Sequence, residues 1–168
     1  MKKFIGIDFS KNKAGVCIYS DNKIVEYKLF VNKNTISKKL STKFDKIISV
    51  MQYSSLYEYA DKISEYIIKN SDNASVIFEG YAFGAKSRAI EIAEAEGAVK
   101  YLLIKGGITD IIAIPVTRIR KLLGNGSFDK EDVYKLLPKK TQKELKKLDD
   151  FRFDVSDAFA CAKSASLI

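Results

Sequence analysis

Four carboxylates stand where their apolar neighbours expect burial, and through them this sequence could do chemistry. Asp8 ends the apolar run Phe4-Ile5-Gly6-Ile7, Glu79 closes the run Ala74 to Phe78, and Asp154 and Asp157 open the last helical stretch. The i, i+3 spacing of the last two puts both on one helical face. Taken singly, each has an ordinary explanation. An acid at a strand end is usually solvated, and an Asp at a helix start usually caps it or faces its macrodipole. Pressed together, the four would repel and shift one another's pKa values, and divalent cations would neutralise them. The chain contains no histidine. That excludes His-based triads, His general bases and most zinc sites. Two cysteines, Cys17 and Cys161, are too few for a four-cysteine zinc site. Acid–base or metal chemistry must therefore run on carboxylates, which match hard cations such as Mg2+ or Mn2+. Two such ions about 4 Å apart clamp a phosphodiester and activate a water without any imidazole.

The elements that must position these acids read as follows. Residues 3–8 and 14–20 are apolar enough for buried strands, and Asp21-Asn22-Lys23 signals a turn into a third strand, Ile24 to Val31. Residues 32–55 are polar and lysine-rich and carry no clear assignment. Leu56, Tyr59, Ala60, Ile63, Tyr66 and Ile67 fall at helical spacing, which predicts a helix over Leu56 to Ile68. Ala74 to Phe78 is a short strand. A Gly-bearing loop, 80–85, leads into an Ala-rich helix over 86–104, ended by Gly106-Gly107. Asp110 to Ile114 is a further strand, and Pro115 opens a helix to Leu123 that Gly124-Asn125-Gly126 breaks. Short helices are expected over Asp129 to Leu137 and Thr141 to Leu148, and a last one over Val155 to Leu167 with Ala158, Phe159, Cys161 and Ala162 buried. Three antiparallel strands followed by alternating strand and helix indicate an α/β fold: a mixed five-stranded sheet with helices on its faces. With 168 residues and no linker, repeat or low-complexity tail, one domain over 1–168 is the economical reading.

Charge points to a polyanion. The net charge is +8, and residues 100–147 alone hold twelve Lys/Arg against five Asp/Glu. Lys outnumbers Arg 25 to 4, so an AT-rich genome and a plain solvated face are the competing explanation. Lys139, Lys140, Lys143, Lys146 and Lys147 read as such a face. No apolar run approaches the roughly 20 residues that span a bilayer, and no secretory signal opens the chain. A cytoplasmic protein with reduced, buried cysteines and no membrane partner is expected.

Three segments together carry a resemblance. Ile5-Gly6-Ile7-Asp8-Phe9-Ser10, Val76-Ile77-Phe78-Glu79-Gly80 and Asp154-Val155-Ser156-Asp157-Ala158-Phe159-Ala160 resemble the four-acid set of RuvC Holliday junction resolvases, which have an RNase H-like fold. The run Arg120-Lys121-Leu122-Leu123-Gly124-Asn125-Gly126-Ser127-Phe128-Asp129-Lys130 is also similar to that family, where a Gly-x-Gly turn followed by a lysine lies in the DNA-binding region. The helix over 86–104, with Gly97, is similar to the one through which two RuvC subunits pair. The resemblance covers nearly the whole chain, and the paired C-terminal aspartates are its most specific part. Phe9-Ser10 departs from the Pro-Gly usual after the first Asp in bacterial RuvC and looks more like the divergent versions carried by phages.

The resemblance implies an enzyme, a crossover junction endodeoxyribonuclease. Asp8, Glu79, Asp154 and Asp157 would be catalytic and would hold two Mg2+ ions, for which Mn2+ would substitute. Water would attack the scissile phosphate and leave a 5′-phosphate and a 3′-hydroxyl. A homodimer would nick opposing strands of a four-way DNA junction, and other branched DNA would be a further class of substrate. Lys130, Arg118, Arg120, Lys121, Lys86 and Arg88 would contact phosphates. Tyr81 or Phe83 would supply the aromatic that stacks at the junction centre. Arg118, Arg120 and Lys121 have the alternative of simply solubilising a helix, and Gly97 that of close packing within the monomer. The main rival is another RNase H-like nuclease acting on RNA, of the YqgF type that trims ribosomal RNA precursors. An actin-like kinase fragment would need a second domain copy, and a DNA-architecture protein would have no use for all four acids.

Overall fold

The computed structural model describes residues 2–10, 12–31, 55–80 and 89–168. Its sheet has five strands in the order β3-β2-β1-β4-β5: β1 Lys3–Phe9, β2 Lys13–Ser20, β3 Lys23–Val31, β4 Ala74–Gly80 and β5 Ile111–Pro115. β1 to β3 form an antiparallel meander, and β4 and β5 add in parallel beside β1. The β2–β3 turn is made by Asp21 and Asn22, both at positive φ (54° and 59°). Residues that tolerate this conformation are what a two-residue hairpin demands.

Both faces of the sheet are covered, which is why the strands read as near-continuous apolar runs. On one face Ile5, Ile7, Phe9, Val16, Phe30, Val76 and Phe78 pack against α1 (Leu56–Asn70) and α2 (Ala89–Lys105). On the other face Cys17, Tyr19 and Leu29, and further along Ile77 and Ile114, pack under α6 (Arg152–Ala165). Around α6 stand three shorter helices: α3 (Val116–Leu123), α4 (Lys130–Lys135) and α5 (Lys139–Leu145). Both cysteines are buried and unbonded, as expected from the sequence.

Most element limits agree with the expectation, and the departures have tertiary causes. β4 runs through Glu79 and Gly80, because these pair with Ile114 and Pro115 of β5. The expected helix 141–148 is instead α5 followed by a 3-10 segment, Lys146–Phe151, in which Asp149 takes a positive φ of 49°. The last helix begins at Arg152, before the expected Val155. Its first turn is held by stacking: Phe153 meets the Tyr134 ring edge-on at 6.3 Å, and the Arg152 guanidinium lies 4.4 Å from the Phe153 ring. The described part of the Ala-rich helix begins at Ala89. Residues 32–54 lie outside the described residues, as do 81–88, with the loop and helix start assigned to them.

Two glycines set the seat of α6. A Cβ on Gly6 would lie 2.5 Å from the Ala162 amide nitrogen and closer still to the Ala158 carbonyl oxygen. A Cβ on Gly15 would lie 2.5 Å from the Asp154 carbonyl carbon and closer still to its oxygen. Bare backbone at these points of β1 and β2 lets the helix lie directly on the sheet. Asp154, Ala158 and Ala162 are the successive turns that rest there.

Candidate active site

The sheet register delivers the first two acids. Ile7 pairs with Phe78 across the parallel β1–β4 ladder, so the next residues, Asp8 and Glu79, stand side by side. Alternation along each strand points both to the α6 face, since Ile7 and Phe78 belong to the opposite core. α6 brings the other two: Asp154 sits in its first turn and is buried, and Asp157 follows one turn on, half-buried. Asp154 does not cap the helix. Phe151 occupies that position, without a side-chain hydrogen bond.

Asp8, Glu79 and Asp157 each feel the charge of at least one other acid of the four. Burial pushes the Asp8 carboxyl well above its ordinary range, and the charges of Glu79, Asp157 and Asp154 push it further. Burial and then Asp157 raise Glu79 to about 7. Burial raises Asp157 to about 6, opposed by Lys130. Burial also raises Asp154, against the opposing pull of Lys13. Carboxyls this reluctant to ionise together are an incomplete charge set.

Oxygen-only donors of this kind fit a hard divalent cation in their chemistry. They are not drawn into a finished cage: among the described residues no three His, Cys, Asp or Glu side chains are grouped tightly enough to hold a metal ion. The Lys13 ammonium occupies Asp154, 2.8 Å from each carboxylate oxygen.

Lys13 is the site residue that sequence reasoning missed. It opens β2 and carries no motif; only the approach of α6 to that strand gives it a role. The seat glycines were also missed, although an isolated glycine inside a strand is a recognisable sign of close backbone approach.

The basic residues divide. Lys130, the first residue of α4, acts on all four acids, lowering each. Its position is fixed by the capping box between Asp129 and Asp132. Arg120, from α3, lowers Glu79 and Asp157. Arg118 and Lys121 are exposed and take no part in the cluster's electrostatics. Lys86, Arg88, Tyr81 and Phe83 lie outside the described residues.

Among the described residues, nothing lies within 4 Å of a Cβ added at Gly97. Ile90, Tyr101 and Ile104 are exposed on the same helix (78%, 64% and 59%), and with Gly97 they follow the alternating three- and four-residue steps of one helical stripe.

A sheet ordered β3-β2-β1-β4-β5, with one helix lying across it and acids at the facing ends of β1 and β4, is an RNase H-like fold of the kind found in RuvC resolvases. Thermus thermophilus RuvC is similar over 98% of this chain and 93% of its own, at 16% identity and a TM-score of 0.60. T. thermophilus RuvC in complex with Holliday junction substrate is similar over 99% and 94%, at 15% identity and a TM-score of 0.62. At such identities the likeness is one of fold. No protein-family model matches the sequence, and no curated protein sequence matches it. No helix among the described residues is long and apolar enough to cross a membrane.

Proposed function

We propose that this chain is a metal-dependent, structure-selective endodeoxyribonuclease that resolves four-way DNA junctions. It would act as a single RNase H-like domain over 1–168, of the divergent kind carried by phages, in a cytoplasm. The observation that carries the reading is the set of acids Asp8, Glu79, Asp154 and Asp157, brought together by β1, β4 and α6 and flanked by Lys130 and Arg120. The fold shared with a RuvC solved on Holliday junction DNA supports the substrate class.

Asp8 and Glu79, on the rigid sheet, with Asp154 and Asp157 on α6, would hold two Mg2+ ions, or Mn2+ in their place. Bound there, the ions would polarise the scissile phosphate and activate the attacking water. Lys13 would release Asp154 to this set. Lys130 and Arg120 would bear on the phosphate, orienting it and offsetting the charge that develops on it. Arg118, Lys121, Lys86 and Arg88 would hold the backbone further out, and Tyr81 or Phe83 would stack at the junction centre. The products would carry a 5′-phosphate and a 3′-hydroxyl. The exposed apolar stripe Ile90, Gly97, Tyr101 and Ile104 supports a homodimer formed through α2. Two sites related by a two-fold axis would meet the two-fold symmetry of a junction.

The test offers the purified protein a four-way junction, a replication fork, a linear duplex and an RNA–DNA hybrid, with Mg2+ and with chelator. Paired symmetric nicks in the junction, an intact linear duplex and silence in chelator are expected. Asp8→Asn should bind the junction without nicking it. Cleavage of the hybrid alone would move the function to RNA processing, and nicking by Asp8→Asn at the wild-type rate would refute the carboxylate site.

A further inference from the structure

We propose that the cleft between α5 and the first turn of α6 is a second duplex-binding surface, which holds the phosphate backbone of a DNA arm leading away from the carboxylate cluster. The proposal rests on the reading of the chain as a DNA nuclease. The cleft encloses about 480 Å³ between Tyr134, Lys139, Gln142, Lys143, Lys146 and Arg152, with Glu131 at its edge. From sequence these lysines read as part of a solvated helix face. The structure leaves Lys139, Lys143 and Lys146 exposed and sets them along one concave wall.

Lys139, Lys143 and Lys146 recur at i, i+4 and i+7, so their ammonium groups share a side. None forms an ion pair among the described residues. Like charges one turn apart oppose the helix. The first turn of α5 adds lysines and no acid at the positive end of the macrodipole. A seven-residue helix loaded in this way works against itself in the free protein, and a polyanion relieves every one of these repulsions. Lys139 to Lys146 spans roughly 10 Å at helical rise. Along one strand of a duplex that length carries about three phosphates, one for each lysine.

The cleft is joined to the site. Arg152 is clamped between rings, 4.4 Å from that of Phe153 and 5.4 Å from that of Tyr134, and braced by Glu131 at 2.5 Å. The Lys130 ammonium lies 5.9 Å from the same Phe153 ring, at the edge of the four acids. Lys130, Arg152 and Lys143 thus mark a basic path from the carboxylates into the cleft. The neutral polar groups there are already engaged: the Tyr134 hydroxyl donates to the Gln142 carbonyl, and the Gln142 amide donates to the carbonyls of Lys135 and Leu137. With these neutral donors engaged, the wall offers mainly charge, which suits contact with the backbone rather than with base edges.

The experiment measures binding of a synthetic four-way junction, in Ca2+ to suppress cleavage, across a salt series. It compares wild type, the triple variant Lys139→Gln, Lys143→Gln, Lys146→Gln, and a charge-matched control, Lys62→Gln, Lys69→Gln, Lys105→Gln, on the opposite side of the sheet. Circular dichroism checks that each is folded. For the cleft variant, the plot of log affinity against log salt should be shallower by about 2.7, and binding near 0.1 M salt weaker on the order of a hundredfold. Trimming the junction arms should shrink that difference, and the control should bind as wild type. An unchanged slope in the cleft variant, or an equal loss in the control, overturns the proposal while leaving the nuclease reading standing. Failure of wild type itself to bind the junction overturns both.

Discussion

Replacing Gly15 by alanine tests whether the sheet positions the helical half of the site. The new Cβ would stand 2.5 Å from the Asp154 carbonyl carbon and closer still to its oxygen, where ordinary contact begins at 3.4 Å, so the first turn of α6 must retreat by at least about 1 Å. The obstruction is backbone, which no rotamer change relieves. Overpacking of this kind costs roughly 1–3 kcal/mol. The displaced turn carries Asp154 and Asp157, and an error of about 1 Å in a catalytic group lowers rate on the order of a hundredfold. Gly15→Ala should therefore lose nicking out of proportion to stability. The assay pairs the single-turnover nicking rate on a four-way junction with the urea midpoint. It is run at a temperature where the variant remains folded, so that the two losses separate. A variant that unfolds earlier but, while folded, nicks at the wild-type rate would refute the idea that the glycine seat aligns the acids. Unchanged stability would refute the close approach itself.

Lys130→Ala removes a positive charge that lowers all four acids. The acidic limb of the pH–rate profile should move to higher pH, whereas a lysine used only to grip DNA would leave the limb in place. In the metal-free protein the folded-state carboxyls of Glu79, about 7, and Asp157, about 6, lie above their unfolded values. Their protonation therefore favours the fold at low pH, and that contribution is lost as pH rises through 6 and 7. Mg2+ should raise the melting temperature more at pH 8 than at pH 5.5, because at the lower pH it must displace protons; scanning fluorimetry with and without chelator reads this, and an equal shift at both would count against the cluster as its binding site. Tyr101→Glu places a charge in the exposed stripe of α2. It should convert a dimer to monomer in light scattering, and persistence of the dimer would exclude that face.

The acids were legible because each interrupts or ends an apolar run, and the parallel register of β1 and β4 is what alternating strands and helices lead one to expect. Sequence could not give the height of α6 above the sheet. That height depends on Gly6 and Gly15 meeting the Asp154 and Ala158 carbonyls, and those partners are separated by more than a hundred residues. Lys13 was invisible for the same reason: its partners, the Asp154 carboxylate and the Phe151 ring, lie more than 130 positions away. Lys139, Lys143 and Lys146 are exposed, as their spacing leads one to expect, but spacing is silent on whether the side they share is convex or concave. The start of α6 was placed late because Arg152 and Phe153 are held by the Tyr134 ring, a contact outside the helix.

The docking of α6 also has a kinetic meaning. The contact that ties the helix to the central strand, from the Cys161 Sγ to the Ile7 carbonyl, closes a loop of 154 positions. Contacts between such distant parts of a chain form late, because their closing entropy must be met before they stabilise anything. Until that helix seats, Asp8 and Glu79 face solvent without their two partners. Under the proposed function, partly folded molecules, and native ones in which the helix has briefly lifted, would thereby be catalytically silent. Under that function, the late closing of the loop would serve as a safety catch against cutting DNA.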